Sequence, residues 1–322
     1  MNKKIVLKKA GYALITIFVV LVFNYFLFRI LPGDPLAMML RNPRATPEMI
    51  EAAKQLFGLD QPWYTQFFTY VKNMIAGDYG TSFFYKQPVS SVMAARIMPT
   101  LIMVGLAEIL AILIGIVLGI IAAWKRGTKL DVGVLGVSLI TYSMPTFWLG
   151  MIMVVIFSVN LHLLPTSGIL TPGATYANTF QFLADYGRHL ILPAFTLSVC
   201  LVGEYALTMR NTLTDVLSED YITTAKAKGF SSKYILRKHA LPNAMLPMIT
   251  IIAINLGLVV GGTVQIETIF SWPGLGSLMY DALRARDYPL LQGVFLLITV
   301  SVVIANFIAD IMYSYIDPRV KE

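Results

Sequence analysis

Two carboxylates stand inside runs of apolar residues: Glu108 in the run from about Met98 to Trp124, and Glu204 in the run from about His189 to Met209. An ionised carboxylate at membrane depth is costly and faces protein or water rather than lipid. Glu108 is therefore either a pathway contact for a cationic group or a hydrogen-bonded residue between helices. Glu204 lies within two turns of Arg210, and an interfacial ion pair between them is expected. Other chemistry has little to stand on. His162, His189 and His239 are scattered, with no HExxH pattern, and there is no GxxxxGK(S/T) phosphate loop. No Ser and His fall into a nucleophile motif. Cys200, the single cysteine, cannot form an intrachain disulfide and reads as a small packing residue. No enzyme, cofactor or metal site is expected.

The other conspicuous polar stretch, Asp220 to Pro247, carries Lys226, Lys228, Lys233, Arg237, Lys238 and His239 between long apolar runs. Asp220 is placed to cap a helix beginning near Tyr221, with Thr224, Ala225 and Ala227 on small-residue faces, and Gly229 ends it. A second helix starts at Ser231 and runs through Tyr234, Ile235 and Leu236 to about His239, and Pro242 and Pro247 shape the return into the membrane. A loop lying on anionic lipid accounts for the lysines. It does not account for the small-residue face, the glycine turn or the Leu241-Pro242 close. The stretch reads as a handle by which another protein moves this one.

The elements that position these residues follow from composition. Of 322 residues 57% are hydrophobic and 13% charged, and mean hydropathy is +0.69. Soluble domains are about a quarter charged, so this is a polytopic membrane protein. Crossing the bilayer core takes about 20 apolar residues, and six stretches qualify: Lys9 to Leu31, Met98 to Trp124, Val132 to Val159, His189 to Met209, Met245 to Ile266 and Leu290 to Tyr313. The first is too long for a signal peptide, and no cleavage site follows. With the N-terminus inside, the inner side holds 15 of the 25 Lys and Arg and nets +8, against +1 outside. The positive charge is thus an inside signal, not a nucleic-acid footprint, and both termini are cytoplasmic.

Three segments fall outside. Residues 32–97 are partly helical: Thr46-Pro47 starts a helix with Met49, Ala52, Ala53 and Leu56 on one face, stopped by Gly58, and Pro62 starts another with Trp63, Phe67, Tyr70, Val71 and Met74, closed by Gly77. This is a surface lid, a docking platform for an external partner, or both. Asn160 to Arg188 reads as loop. Glu267 to Pro289 holds a short amphipathic helix with Leu275, Leu278, Met279 and Leu283, ended by Asp287-Tyr288-Pro289, which could form a re-entrant gate. Pro145, Pro193 and Pro247 are placed to kink helices. Gly115 and Gly119, beside Ala111 and Ala122, permit close helix packing. No internal repeat is visible.

The polar stretch resembles the EAA loop of ABC-importer membrane subunits: Glu-Ala-Ala, three residues, Gly, nine residues, Ile, any residue, Leu-Pro. Ala225, Gly229, Leu241 and Pro242 match at that spacing, with Thr223 for the glutamate and His239 for the isoleucine. Both departures are similar to the dipeptide/oligopeptide/nickel branch, whose version resembles Tyr-(Val/Ile)-x-Thr-Ala-x-Ala-Lys-Gly followed by His-x-x-x-Asn-Ala. Tyr221, Thr224, Ala225, Ala227, Lys228, Gly229, His239, Asn243 and Ala244 fit it. FRILPGDP, FGLDQP, AGDYGTS, SMPTFWLG, LLPTSG, ETIFSWPGLGSL, RDYPLLQG and the ending DIMYSYIDPRV also look like this family's stretches, and the long outer segment resembles its B-type permease subunit. One departure is Leu207, where members often carry a second basic residue a turn before Arg210.

The resemblance implies an all-α, six-helix, type I ABC importer-like permease: one transmembrane domain over 1–322, an extracytoplasmic insert at 32–97 and a cytoplasmic coupling loop at 212–244. It implies a C-type permease partner, two ABC ATPase subunits that carry the ATP and Mg, an extracytoplasmic solute-binding protein, surrounding membrane lipid, a peptide substrate and a prokaryotic inner-membrane location. Tyr221, Thr224, Ala225, Ala227, Lys228, Gly229, His239, Leu241 and Pro242 would form the coupling element. Glu108, Pro145, Trp272 and Asp287 are the pathway or gate residues to test. The rival classes are an ion-coupled transporter working without ATPases, with Glu108 as coupling carboxylate, and a non-transporting receptor.

Overall fold

A computed structural model describes residues 3–30, 46–57, 61–258 and 263–316. The expected Gly58 stop, part of FRILPGDP, the middle of the fifth span and the end of DIMYSYIDPRV lie outside these residues. Among the described residues all the regular structure is helical, apart from one isolated antiparallel bridge between Thr81 and Pro88. In chain order the helices are α1 Lys3–Ile30, α2 Pro47–Phe57, α3 Trp63–Ala76, α4 Val89–Trp124, α5 Lys129–Ser143, α6 Thr146–Met153, α7 Thr179–Leu217, α8 Asp220–Ala227, α9 Ser232–Ile235, α10 Leu241–Leu258, α11 Val264–Ile269, α12 Leu275–Arg284 and α13 Tyr288–Ile316. Two wider π-helical turns succeed α6 (Val154–Asn160) and α9 (Leu236–Ala240).

Among the described residues four helical segments are long and apolar enough to cross a membrane: Val6–Leu27, Val89–Trp124, Thr179–Leu217 and Tyr288–Ile311. The expected third span is not one straight rod. Its halves, Lys129–Ser143 and Thr146–Asn160, meet at 101°. Pro145 has no N–H to continue the helix, and its ring keeps the preceding residue out of the α region. Met144 accordingly adopts φ −78°, ψ 128°, and Pro145 O starts the next helix by accepting from Trp148 N and Leu149 N. Pro193 and Pro247, by contrast, lie inside continuous helices. The expected fifth span is helical as far as Leu258, and the described residues hold four apolar spans, or five if the bent pair is one, where six are expected.

The chain divides into two compact units, one of residues 103–256 and 308–322 and the other of 2–102 and 257–307. In the first unit α7 is the spine. Water-driven burial does not pull helices together inside lipid, so close packing and hydrogen bonds must do it. Gly115 and Gly119 supply the close packing: a Cβ on Gly119 would lie 2.7 Å from Ala206 O and 3.0 Å from Arg210 N. α7 also starts earlier than expected. Asn178 caps it by accepting from Gln181 N at 2.9 Å, so residues 179–188 are helix rather than loop. Within that first stretch Asp185 accepts from Thr171 N, Thr171 Oγ1 and Tyr176 OH at 2.6–2.7 Å, which pins the preceding loop.

In the second unit α3 lies on α1 and α13. Tyr25, Tyr70, Met74, Phe83 and Leu296 form one buried cluster, and Asn24 Nδ2 donates to Tyr70 OH at 2.9 Å. Phe67, Val71 and Met49 pack against it. Trp63 does not, being 68% exposed; it sits in the first turn, its carbonyl accepting from Tyr25 OH at 2.7 Å and its ring edge-on to Tyr64. On α2 the buried side chain is Ile50 rather than Ala52. Thr46 caps that helix, its Oγ1 accepting from Met49 N. On α12 Leu275, Leu278 and Ala282 are buried, whereas Leu283 is exposed. Buried Glu267 accepts from Thr100 Oγ1 at 2.9 Å and from Ser277 N at 2.7 Å, which satisfies the start of α12.

Candidate functional site

The polar segment is built from its backbone outward. α8 begins one residue earlier than Asp220 would allow as cap: Glu219, in extended backbone, holds the N-cap position and Asp220 is the first helical residue. Gly229 takes φ +81°, the left-handed conformation that most side chains avoid. Gly229 N donates to Lys226 O and Phe230 N to Ala225 O, closing the helix end. Ser231 then caps α9 by accepting from Tyr234 N. α9 does not end in a separate loop. It passes through the π turn Leu236–Ala240 directly into α10. Pro242 sits in the first turn of α10, where its missing N–H costs least. The Leu241-Pro242 pair therefore continues the helical course instead of interrupting it.

One face of the segment is buried against the helices of the first unit. Ile222, Ala225, Ile235, Ala240, Ala244 and Met248 belong to one buried cluster with Tyr205, Met209 and Leu213 of α7 and Ala123 of α4. Tyr221, Thr224, Ala227 and Lys228 are exposed on the other side. The small-residue face is thus split: Ala225 packs inward, whereas Thr224 and Ala227 face outward. His239 stacks in an aromatic group with Phe230 and Tyr234, centroids 6.0 and 5.7 Å away. Leu241 is partly buried against the same cluster. Ile222 and Ile235, the anchors, did not figure among the expected functional residues. The i, i+3 spacing of Ile222 and Ala225 is the signal that marks the buried face.

Glu108 is 2% exposed and its Oε1 accepts a hydrogen bond from Tyr205 OH. Tyr205 OH accepts in turn from Asn255 Nδ2 at 3.0 Å, and the same amide reaches Glu204 Oε2 at 3.4 Å. Glu204 therefore does not pair with Arg210. Arg210 binds Asp131 instead, Nε to Oδ1 at 3.1 Å and Nη2 to Oδ2 at 3.0 Å. A planar guanidinium satisfies a carboxylate best in this two-pronged arrangement, and Asp131, at the start of α5, offers it. The other two residues to test belong to the second unit. Trp272 is fully buried and donates from Nε1 to Pro99 O at 3.0 Å. Asp287 is fully buried and accepts from Ser82 Oγ and Phe84 N at 2.5 and 2.9 Å. Pro145 marks the bend described above.

The described residues thus make up a helical chain with several apolar spans and a small polar segment clamped to α7. The chain is a member of the family "Binding-protein-dependent transport system inner membrane component", whose model matches residues 115–322, with the family's N-terminal model matching residues 1–104. It is 37% identical over 311 residues to the glutathione transport system permease protein GsiC of Escherichia coli (strain K12), covering 95% of each chain. It is 38% identical over 301 residues to the oligopeptide transport system permease protein AppB of Bacillus subtilis (strain 168), covering 93% of each. Among solved structures it is similar in fold to a chain of the MetNI methionine ABC transporter in an inward-facing conformation, with a TM-score of 0.56 at 19% identity, covering 70% of this chain and 96% of that one.

Proposed function

We propose that this chain is the B-type permease subunit of an ATP-driven importer of peptides. It forms a pathway with a second, C-type permease, receives its substrate from an extracytoplasmic solute-binding protein, and is moved by ATPase subunits that carry the ATP and Mg. Residues 212–244 are the coupling loop and 32–97 the extracytoplasmic insert. The relatives' names, glutathione and oligopeptide transport, support a peptidic cargo.

The observation that carries the reading is the one-sided clamp of the polar segment. Ile222, Ala225 and Ile235 tie it to Met209 and Leu213, and Gly229 makes a rigid turn within it. A segment so fastened moves as a lever with α7, whereas a loose basic loop would absorb a push. The test is Gly229→Val in the reconstituted complex. No atom lies within 4 Å of a Cβ at Gly229, so the first cost within this chain is the left-handed backbone, about 1–2 kcal/mol for any Cβ and more for a β-branched one. ATP hydrolysis should persist while uptake falls at least tenfold. Normal uptake would remove the lever role. The buried chain of Glu108, Tyr205, Asn255 and Glu204 is the one feature that favours ion coupling. Uptake by this chain alone, driven by a proton gradient without ATP, would establish that alternative.

A further inference from the structure

A groove in the first unit is lined by α4, α5 and α7, and its surface is almost wholly apolar. Along α5 it follows Leu130, Val134, Val137 and Thr141, an i, i+4, i+7, i+11 stripe that keeps to one helix face. Leu118 and Val202 form its flanks. At 1.5 Å per residue the stripe is ~16 Å long, close to the ~15 Å of one leaflet of a ~30 Å hydrocarbon core. The groove is open: Leu130 is 53% and Val137 60% exposed.

One end of this groove is basic. Leu130 follows Lys129, and the turn between α4 and α5 adds Lys125 and Arg126, all three exposed. The acid in that turn, Asp131, is already committed to Arg210 and to Gly127 N. Lys125, Arg126 and Lys129 make no ion pair among the described residues. Trp124, partly exposed beside them, is the residue type that sits at headgroup level. The end of the groove at Leu130 therefore adjoins three exposed cations, on the side the charge distribution places in the cytoplasm.

We infer that the groove binds an anionic glycerophospholipid of the inner leaflet, an acyl chain lying along α5 and the phosphate resting among Lys125, Arg126 and Lys129. The cations beside one end favour a lipid with an anionic headgroup over an apolar partner helix. A bound lipid would bridge α4, α5 and α7 at the end where Arg210 and Asp131 also join them. The inference does not depend on the cargo.

The test is native mass spectrometry of the full chain in its assembly, titrated with phosphatidylglycerol or phosphatidylethanolamine. One phosphatidylglycerol should be retained in preference. Each basic residue near a surface is worth about fivefold in anionic-lipid affinity, so the Lys125→Ser/Arg126→Ser/Lys129→Ser triple variant should lose that preference by ~100-fold. Val137→Trp should abolish retention with the charges intact. The charge-matched control Lys233→Ser/Arg237→Ser/Lys238→Ser should retain the lipid as the parent does. An equal loss in the control would reduce the effect to general surface attraction and overturn the inference. So would unchanged retention in Val137→Trp, or loss of the second permease from that variant, which would make the groove a protein interface.

Discussion

Arg210 is held by Asp131, 79 residues away in sequence, and not by Glu204 on its own helix. The contact joins the start of α5 to α7 next to the polar segment. Removing one partner of a buried pair costs about 3–5 kcal/mol. Arg210 is partly exposed, its side chain at 18%, so the cost should be nearer ~1–3 kcal/mol after screening by solvent. Asp131→Ala and Arg210→Gln should each lower the unfolding temperature of the detergent-purified protein. The double variant should lose less than the sum of the two. Strict additivity would show that the pair contributes nothing to stability.

Gly119 permits the closest approach of α4 to α7. Gly119→Leu would drive its Cβ against Ala206 O and Arg210 N, both backbone atoms that cannot rotate away. Overpacking of this kind typically costs about 1–3 kcal/mol. Gly105, on the same helix, has nothing within 4 Å of its Cβ position. Gly105→Ala should therefore be neutral or stabilising by up to ~1 kcal/mol through helix propensity. Thermal unfolding of the two variants side by side tests the contrast, and equal destabilisation would contradict it.

Long apolar runs made the spanning helices legible, and Gly229 announced its turn, because one residue type suits each situation. The bend at Met144-Pro145 was not legible. The apolar run continues across it without a change of character, and Pro193 and Pro247 show that a membrane proline need not break its helix. The first turns of α7 were hidden for another reason: Pro165, Gly168, Pro172 and Gly173 make the whole stretch to Arg188 look like loop, although the helix starts as soon as Asn178 caps it. Pairing escaped for a third reason. Glu204 lies within two turns of Arg210 on its own helix, and only the packing of α5 on α7 brings Asp131 into reach. Among the residues to test, Trp272 and Asp287 are buried, with hydrogen bonds to Pro99 and to Ser82 and Phe84 that sequence spacing does not encode.

Glu267 is fully buried, with its two oxygens taken by Thr100 Oγ1 and Ser277 N. Glu267→Ala would leave those donors without their acceptor in the interior, at about 1–3 kcal/mol each. Burial pushes the carboxyl above the usual carboxylate range, and the hydrogen bonds from Ser277 and Thr100 only partly offset it. The folded state therefore binds this proton more readily than the unfolded chain. Its contribution to stability is fully present below the unfolded value and is lost as pH rises through the raised folded value. Glu267→Gln should cost less than Glu267→Ala and should flatten that part of the stability profile between pH 4 and neutrality (~4.3 is the ordinary value). An unchanged pH profile in Glu267→Gln would show that another group governs it.

Glu108 can be assigned to packing or to the pathway by separating its shape from its charge. Glu108→Gln keeps an oxygen to accept from Tyr205 OH and removes the titratable carboxyl. Glu108→Ala and Tyr205→Phe both break the hydrogen bond, and the latter also removes the acceptor that Asn255 Nδ2 uses. At 2% exposure Glu108 presents almost no surface to a passing solute, so the geometry favours a fixed link between α4 and α7. Tyr205→Phe and Glu108→Ala should then destabilise the protein by about 1–3 kcal/mol and reduce uptake only as far as folded complex is lost. Glu108→Gln should transport within about twofold of the parent, since hydrogen-bonded shape survives and the net cost of exchanging one such bond is near ~1 kcal/mol. If Glu108→Gln instead abolishes uptake while its unfolding temperature is unchanged, the carboxylate itself meets the cargo or a coupled proton. Repeating that measurement with a peptide lacking a free amino group separates those two: only a contact with the cargo's ammonium group makes the loss depend on the peptide.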